Sequence, residues 1–389
     1  YTMFKILTLN NIAAVGLDRL PRNNYEIASE VQTPDAILVR SAKMHDMPVP
    51  ASLKAIGRAG AGVNNIPVKE MSEKGIVVFN APGANANAVK ELVIAGMLLA
   101  ARNIPQAWKF ATDLSGDDTF LHKAVEDGKK NFVGFELPGR TLGVIGLGAI
   151  GVRVANTARA LGMKVVGFDP GITVERAWEL SADVQQATSV DELLARADFV
   201  SFHVPLIEAT RNLINAERLK FMKDNVVVLN FAREGVVDEA AMVAALDAGK
   251  AHAYVSDFPV NATKDHPRCI TLPHLGASTG EAEDNCAIMV ADQVRDFLEN
   301  GNILNSVNFP EIKLPRKGDH RLAIANKNLP DMVGQMSHIL GAHKVNIVHM
   351  VNDSRGDVAY TLIDIEGDIP TDAAEAIRGI NGVLNVRVI

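Results

Sequence analysis

The sequence predicts an α/β protein: two doubly wound parallel-sheet domains followed by a small βαββαβ domain. Three observations carry this. Short apolar runs alternate with helical stretches through the first hundred residues. The alternation restarts, more strongly, at Thr141. Residues His320 to Ile389 then carry a strand–helix–strand–strand–helix–strand pattern of their own.

In the first stretch, Phe4 to Leu9, Ala36 to Val39 and Val77 to Asn80 read as parallel strands bounded by polar or Gly/Pro punctuation. Asp46 to Ala55 and Pro67 to Lys74 read as helices. From Thr141 the predicted strands are Leu142 to Ile145, Lys164 to Phe168, Phe199 to His203, Val226 to Asn230, His252 to Ser256 and Cys269 to Leu272. Helices are predicted at Ile150 to Leu161, Ser189 to Arg196 and Glu239 to Asp247. A long helix, Thr279 to Glu299, follows. Asn308 to Asp319, rich in Pro, Lys and Gly, reads as a linker.

The bulk properties are those of an ordinary globular chain of 389 residues, with 48% hydrophobic and 22% charged residues. A net charge of −7 argues against general nucleic-acid binding, which needs a basic face. Two cysteines, Cys269 and Cys286, make no disulfide framework and point to a reducing compartment. The opening residues show no secretory leader, and Met3 is read as the natural start. The longest apolar run, Leu92 to Ala101, has ten residues, half of the roughly 20 a bilayer requires, and reads as a buried helix at a domain or subunit contact. A cytoplasmic protein without a membrane or nucleic-acid partner is expected, and no metal site is predicted.

Leu142 to Gly151 is a strand running into Gly146-Leu147-Gly148-Ala149-Ile150-Gly151 and then a helix. The first glycine permits a tight turn, the second lets a pyrophosphate approach the backbone, and the third lets helix and strand pack closely. The helix N-terminus offers free N–H groups to phosphates. Asp169 ends the second strand, 18 residues after Gly151. An acid there bonds both ribose hydroxyls and repels a 2′-phosphate, so NAD is the expected cofactor. This makes the second domain Rossmann-like.

Three further segments lie just past strand ends, where open α/β sheets bind ligands. They give the other candidate cofactor contacts. His203, Val204, Pro205 and Thr210 follow one strand, and Phe231, Ala232 and Arg233 follow the next. Asp257, His274 and Gly276 complete the set. Arg233 suits a 2-keto acid: its planar fork holds the carboxylate and polarises the keto oxygen. His274 takes the hydroxyl proton as hydride leaves and returns it in reverse.

With these residues in place, the chain is similar to the D-2-hydroxyacid dehydrogenases over essentially its whole length. The resemblance implies a substrate-binding domain at 1–97 and 283–309 and an NAD-binding domain at 98–282. A linker at 310–319 and a regulatory domain at 320–389 follow. It implies substrate loops at Val39-Arg40-Ser41, Arg58 to Ile66 and Asn80 to Glu91. Backbone N–H groups around Ala61 and Gly62 would hold the carboxylate, with Asn85 also at the site. Arg40 would hold a phosphate, with Lys43, Lys129 and Lys130 as looser candidates. In the family a glutamate orients the histidine; here that position is Asn261, which is expected to orient His274 without supplying charge, with Asp265, Glu281 or Glu283 as the alternative sources of a carboxylate.

The last segment resembles an ACT domain. Matching positions for a bound L-serine effector are Asn326, Asn328 and Asn346, and Asp331 stands where members often carry glycine. ACT edges tend to pair, so a homodimer or homotetramer is expected. The implied activity is NAD-dependent oxidation of D-3-phosphoglycerate to 3-phosphohydroxypyruvate, opening serine biosynthesis. The alternatives are a glyoxylate/hydroxypyruvate reductase, a D-lactate dehydrogenase, a non-catalytic NAD-sensing protein, and a purely regulatory amino-acid sensor.

Overall fold

The computed structural model describes residues 3–389. It forms two compact units, one running to Ala84 and resuming at Glu283–Ile389, the other Asn85–Ala282.

The first unit opens with β1 (Phe4–Leu9), α1 (Ala14–Leu17), β2 (Tyr25–Ala28), β3 (Ala36–Val39), β4 (Ala55–Arg58), α2 (Val68–Glu73) and β5 (Val77–Phe79). The strands form one parallel sheet in the order β2-β1-β3-β4-β5. β2 and β4 were not expected, and residues 46–54 form no helix. Pro48 and Pro50 explain the second point: each removes an N–H and disfavours the α-region for the residue before it.

The second unit comprises α3 (Ala86–Ala101), α4 (Ile104–Asp113), α5 (Asp118–Gly128), β6 (Thr141–Ile145), α6 (Ala149–Ala160), β7 (Lys164–Phe168), α7 (Val174–Glu179), β8 (Gln185–Gln186) and α8 (Val190–Arg196). It continues through β9 (Phe199–Phe202), α9 (Ala216–Phe221), β10 (Val226–Asn230), α10 (Glu239–Asp247), β11 (Ala251–Ser256) and β12 (Cys269–Thr271). All seven strands are parallel, in the order β12-β11-β10-β9-β6-β7-β8. The six anticipated strands are all present and β8 is an addition. Apolar clusters cover both faces of this sheet, as a parallel sheet requires. The direction of strand progression reverses between β6 and β9, the switch point where such sheets bind ligands. This unit begins at Asn85 rather than at 98, because α3 buries Val89, Val93 and Met97 in the second unit's core.

α11 (Gly280–Asn300) leads back into the first unit, followed by β13 (His320–Lys327), α12 (Met332–Ala342), β14 (Ile347–Arg355), β15 (Val358–Ile365), α13 (Thr371–Arg378) and β16 (Val383–Val388). These four strands make an antiparallel sheet in the order β14-β15-β13-β16. One face packs on α12 and α13 through Leu322, Ile324, Met336 and Ile363. The other, with Ala323, Ala325, Tyr360 and Leu362, shares a core with Phe297, Leu298 and Phe309. The tail therefore belongs to the first compact unit rather than standing apart.

The end of α11 shows why. Phe297 O takes a helical bond from Gly301 N–H at 2.8 Å, the carbonyls after it lack helical partners, and the sheet supplies further donors. Arg387 donates to Phe297 O at 2.6 Å and Leu298 O at 3.1 Å. Arg321 donates to Asn300 O at 2.9 Å, and Tyr360 to Gly301 O at 2.6 Å. Arg321 is fully buried and forms a two-point pair with Asp364 at 2.6 and 2.9 Å. Nor is 310–319 a free linker. Ile312 and Leu314 are buried, Ile303 and Ile312 exchange backbone bonds, and Leu314 N–H donates to Asn302 Oδ1 at 3.0 Å.

No helix among the described residues is long and apolar enough to cross a membrane. Both cysteines are free, and no group of three His, Cys, Asp or Glu among the described residues is arranged to hold a metal ion.

Candidate active site and dinucleotide cradle

β6 delivers the glycine turn to the switch point. Gly146 has φ +90°, a conformation glycine adopts without penalty, and a Cβ there would lie 2.3 Å from His203 O. A Cβ on Gly151 would meet Gly146 O at 1.9 Å, so α6 can start this close to the turn only with glycine at that position. Gly148 is the N-cap of α6 with no side-chain cap, and nothing lies within 4 Å of its missing Cβ. Open space on that side, with uncapped N–H groups behind Ala149 and Ile150, fits a pyrophosphate.

Asp169, at the end of β7, is held in place: Oδ2 accepts Leu147 N–H at 2.8 Å and Oδ1 accepts Gly171 N–H at 2.9 Å. Each oxygen keeps a lone pair for a ribose hydroxyl. A groove of about 330 Å³ begins at Asp169 and is lined by Leu147, Gly167, Phe168, Ile172 and Thr188 among others.

Two of the expected cofactor contacts have other employment. The His203 imidazole turns inward to Ser201 Oγ at 2.8 Å, and its Nδ1 is buried without a partner. Burial lowers its pKa to about 3, so the ring is neutral. What His203 presents to the turn is its backbone. Thr210 Oγ donates to Pro205 O at 2.6 Å and accepts Ile207 N–H at 2.9 Å, closing the Pro205–Thr210 loop. Val204 is half-buried and Pro205 exposed. Phe231 and Ala232 are buried, with the Phe231 ring packed over Gly96.

Arg233 and His274 each stand on a turn fixed by one buried polar residue. Asn230 is fully buried; its Oδ1 accepts Ala232 N–H at 3.2 Å and its Nδ2 donates to Arg233 O at 3.0 Å. The exposed Arg233 guanidinium donates to Ala232 O at 2.7 Å and has no carboxylate partner among the described residues. Asp257 is buried and clamps three consecutive residues. Its carbonyl accepts His274 N–H at 3.0 Å, and its carboxylate oxygens accept Leu275 N–H at 2.8 Å and Gly276 N–H at 2.9 Å. These bonds support His274 at φ +53°, unusual for a residue with a side chain. Asp257 N–H in turn donates to Asn230 O at 3.1 Å, joining the two turns. Sequence reasoning missed Asn230, although a polar residue closing an otherwise apolar strand was the signal.

Asn261 does not meet His274 in this unit. It is exposed on a turn closed by Thr263, whose N–H donates to Val260 O at 3.1 Å. The neighbour of the imidazole is Phe258, with ring centroids 5.1 Å apart. Behind Arg233, Glu239 begins α10 with one carboxylate oxygen buried and unpartnered. Burial, reinforced by Glu234 and Asp238, raises its pKa to about 7 despite a Tyr254 hydrogen bond.

In the first unit, Arg40 follows β3 and pairs with Glu283 at 3.1 Å. Ser41 N–H donates to Asn10 Oδ1 at 3.1 Å. Ala61 is held through its carbonyl by Asn80 Nδ2 at 2.8 Å, and Gly62 is open on its Cβ side. Arg58, at the end of β4, was noted only as part of its loop. It is half-buried, lies against Gly60, and has a buried Nε without a partner. Burial lowers its pKa, and the nearby Arg40 adds to this against the effect of Cys286. A half-desolvated, unpaired guanidinium is an anion-binding feature. Asn85 lies in the second unit, at the N-cap of α3, and makes no side-chain cap bond.

In the C-terminal sheet, Asn326 and Asn328 line a cavity of about 160 Å³ together with Asp331, Met332 and Asn352. Asn326 is buried, with Oδ1 unpartnered. Asp331 has φ +63°, which accounts for glycine being acceptable there. Asn346 is not part of this cavity; it donates to Glu366 Oε2 at 2.9 Å.

Residues 94–276 match the family model for the D-isomer specific 2-hydroxyacid dehydrogenase, NAD binding domain. Among curated proteins, the D-3-phosphoglycerate dehydrogenase of Methanocaldococcus jannaschii is 39% identical over 352 residues, covering 87% of this chain and 63% of that protein. The enzyme of the same name from Haemophilus influenzae is 32% identical, covering 87% of this chain and 81% of that protein. The chain thus spans about three-fifths of the first of these relatives. Two solved structures are similar. NAD-bound 3-phosphoglycerate dehydrogenase of Entamoeba histolytica has a TM-score of 0.61 at 26% identity, over 79% of this chain and 99% of that one. A glyoxylate reductase from Paecilomyes thermophila has a TM-score of 0.63 at 28% identity, over 79% and 99%.

Proposed function

This chain belongs to the D-isomer-specific 2-hydroxyacid dehydrogenases and carries their NAD-binding domain, and we propose that it oxidises D-3-phosphoglycerate to 3-phosphohydroxypyruvate. The observation that carries the substrate is the name shared by relatives 32–39% identical over most of the chain. The site chemistry agrees with it. Bound NAD supplies the hydride acceptor, and Gly146, Gly148, Gly151 and Asp169 are the residues to hold it.

Arg233 holds the substrate carboxylate and steadies the C2 oxygen as it becomes a carbonyl. His274 accepts the C2 hydroxyl proton while hydride leaves C2, and returns it in the reverse direction. Arg40 and Arg58 are the first unit's groups suited to the phosphate. The βαββαβ tail fits an ACT domain, and the cavity at Asn326 and Asn328 would take an amino-acid effector such as L-serine. We also infer a homo-oligomer: no residue of α4 is buried, and Trp108 and Phe120 are 69% and 54% exposed.

NADH oxidation with 3-phosphohydroxypyruvate, glyoxylate and pyruvate, with and without L-serine, tests the reading. The highest kcat/KM is expected with phosphohydroxypyruvate. Preference for glyoxylate would overturn the substrate, and no turnover on any of them the activity.

A further inference from the structure

The second unit has a cavity of about 450 Å³ at the end of its sheet opposite the glycine turn. Arg140, Asp198, Asn225 and Arg268 stand immediately before β6, β9, β10 and β12, and His252 lies near the start of β11. Asn103, Asn131, Val133, Gly134 and Phe135 also line it. β6 has five residues, so about 16 Å of strand at ~3.3 Å per residue separates this cavity from Gly146.

The charges in it are unbalanced. Asp198 is already paired with Lys223 at 3.0 Å and receives Thr141 N–H at 2.9 Å; Asp224 is paired with Lys250 at 2.9 Å. Among the described residues neither arginine has a carboxylate partner within salt-bridge distance. Arg140 lies 4.3 Å over the Phe135 ring, and its Nε donates to Glu136 O at 2.8 Å, which fixes the guanidinium and leaves its outer nitrogens free. Arg268 is exposed and makes no side-chain hydrogen bond. His252 bonds Ala100 O through Nε2 at 3.0 Å, and burial, with Arg268 nearby, holds its pKa below the usual imidazole value against that bond. Two guanidiniums without carboxylate partners face one polar cavity, Arg140 half-buried and Arg268 exposed, and together they suit an anion from outside.

We propose that this cavity is a second binding site, separate from the dinucleotide and substrate site, for a small phosphate-bearing anion of two or more charges. The planar forks of Arg140 and Arg268 receive its phosphate oxygens. A single carboxylate would satisfy one fork and leave the other bare.

Calorimetric titration of the full-length protein with inorganic pyrophosphate, in saturating NADH and at constant ionic strength, tests this. Arg233→Met is expected to bind pyrophosphate as the wild type does. Arg140→Gln/Arg268→Gln is expected to lose at least tenfold in affinity while its NADH affinity stays within twofold. Arg268→Gln alone removes a side chain with no internal bond and is expected to fold normally and bind at least threefold more weakly. Unchanged affinity in the arginine variants, or loss in Arg233→Met instead, overturns the site. Citrate binding as tightly as pyrophosphate overturns the phosphate assignment. Because the readout is binding, neither result depends on which 2-hydroxyacid is turned over.

Discussion

The two parallel sheets make the same corner with different residues. In both, the residue after the first strand has positive φ: Asn10 at +68° after β1, and Gly146 at +90° after β6. Asn10 fills its corner, taking the N–H groups of Ser41 and Ala42 on Oδ1 at 3.1 and 2.7 Å. The helix that follows has four residues. Gly146 brings no side chain to its corner, where a Cβ would meet His203 O at 2.3 Å; the open space lies two residues on at Gly148, and a helix of twelve residues follows. Both sheets also place a glycine where the helix needs close contact. Gly16 abuts Ala287, with a missing Cβ 2.5 Å from that methyl, and Gly151 abuts the turn itself. Doubly wound topology supplies the crevice, and the residues of the turn, with Gly148 open on its Cβ side, decide whether a dinucleotide can enter it.

The contrast breaks most sharply at the third glycine. Gly151→Ala drives a Cβ into Gly146 O; Tm is expected to fall, since overpacking costs about 1–3 kcal/mol, and NADH affinity to fall at least ~100-fold because the displaced backbone is the turn that holds the pyrophosphate. Gly148→Ala separates fold from function: with nothing within 4 Å, Tm is expected to hold while NADH binding weakens about tenfold or more. If Gly148→Ala binds NADH normally, the cradle is misassigned. Gly16→Ala is expected to destabilise by about 1–3 kcal/mol yet leave NADH affinity unchanged in the protein that remains folded. A lost NADH affinity there would erase the distinction between the two sheets.

The smallest effect is on pH. Glu239 has a folded pKa of about 7 against 4.5, so the native state holds its proton longer than the unfolded chain. Its favourable contribution is complete below about pH 4.5 and is lost as pH rises through 7. Glu239→Gln is expected to raise stability at pH 8 by ~1 kcal/mol, discounted for a half-exposed group, and to flatten the slope between. Chemical denaturation at pH 5 and pH 8 checks this; an unchanged slope contradicts it.

The second sheet was legible because its signals are local. The glycine spacing, Asp169 and the polar residues after β9, β10 and β11 lie within a few residues of the structure they make. The first sheet was less so. The helix expected over Asp46 to Ala55 is forbidden by Pro48 and Pro50, and its last residue, Ala55, instead opens β4. Arg58 became visible only when its Nε proved buried and unpartnered. Residues 310–319 have linker composition, but Ile312 and Leu314 join a core shared with Ile6, Leu20, Phe79 and Phe297, which composition cannot encode. Asn261 followed its place in the motif, and the Thr263 turn holds it elsewhere.

The central claim is that the corner between β6 and α6, completed by Asp169, is an NAD site. NADH and NADPH titrations of the wild type and Asp169→Ser, followed by nicotinamide fluorescence, test it most directly. The wild type is expected to bind NADH at least ~100-fold more tightly than NADPH, and the variant less than ~10-fold, a change of about 1.4 kcal/mol or more. Equal binding of the two by the wild type, or a preference unmoved in the variant, would contradict it.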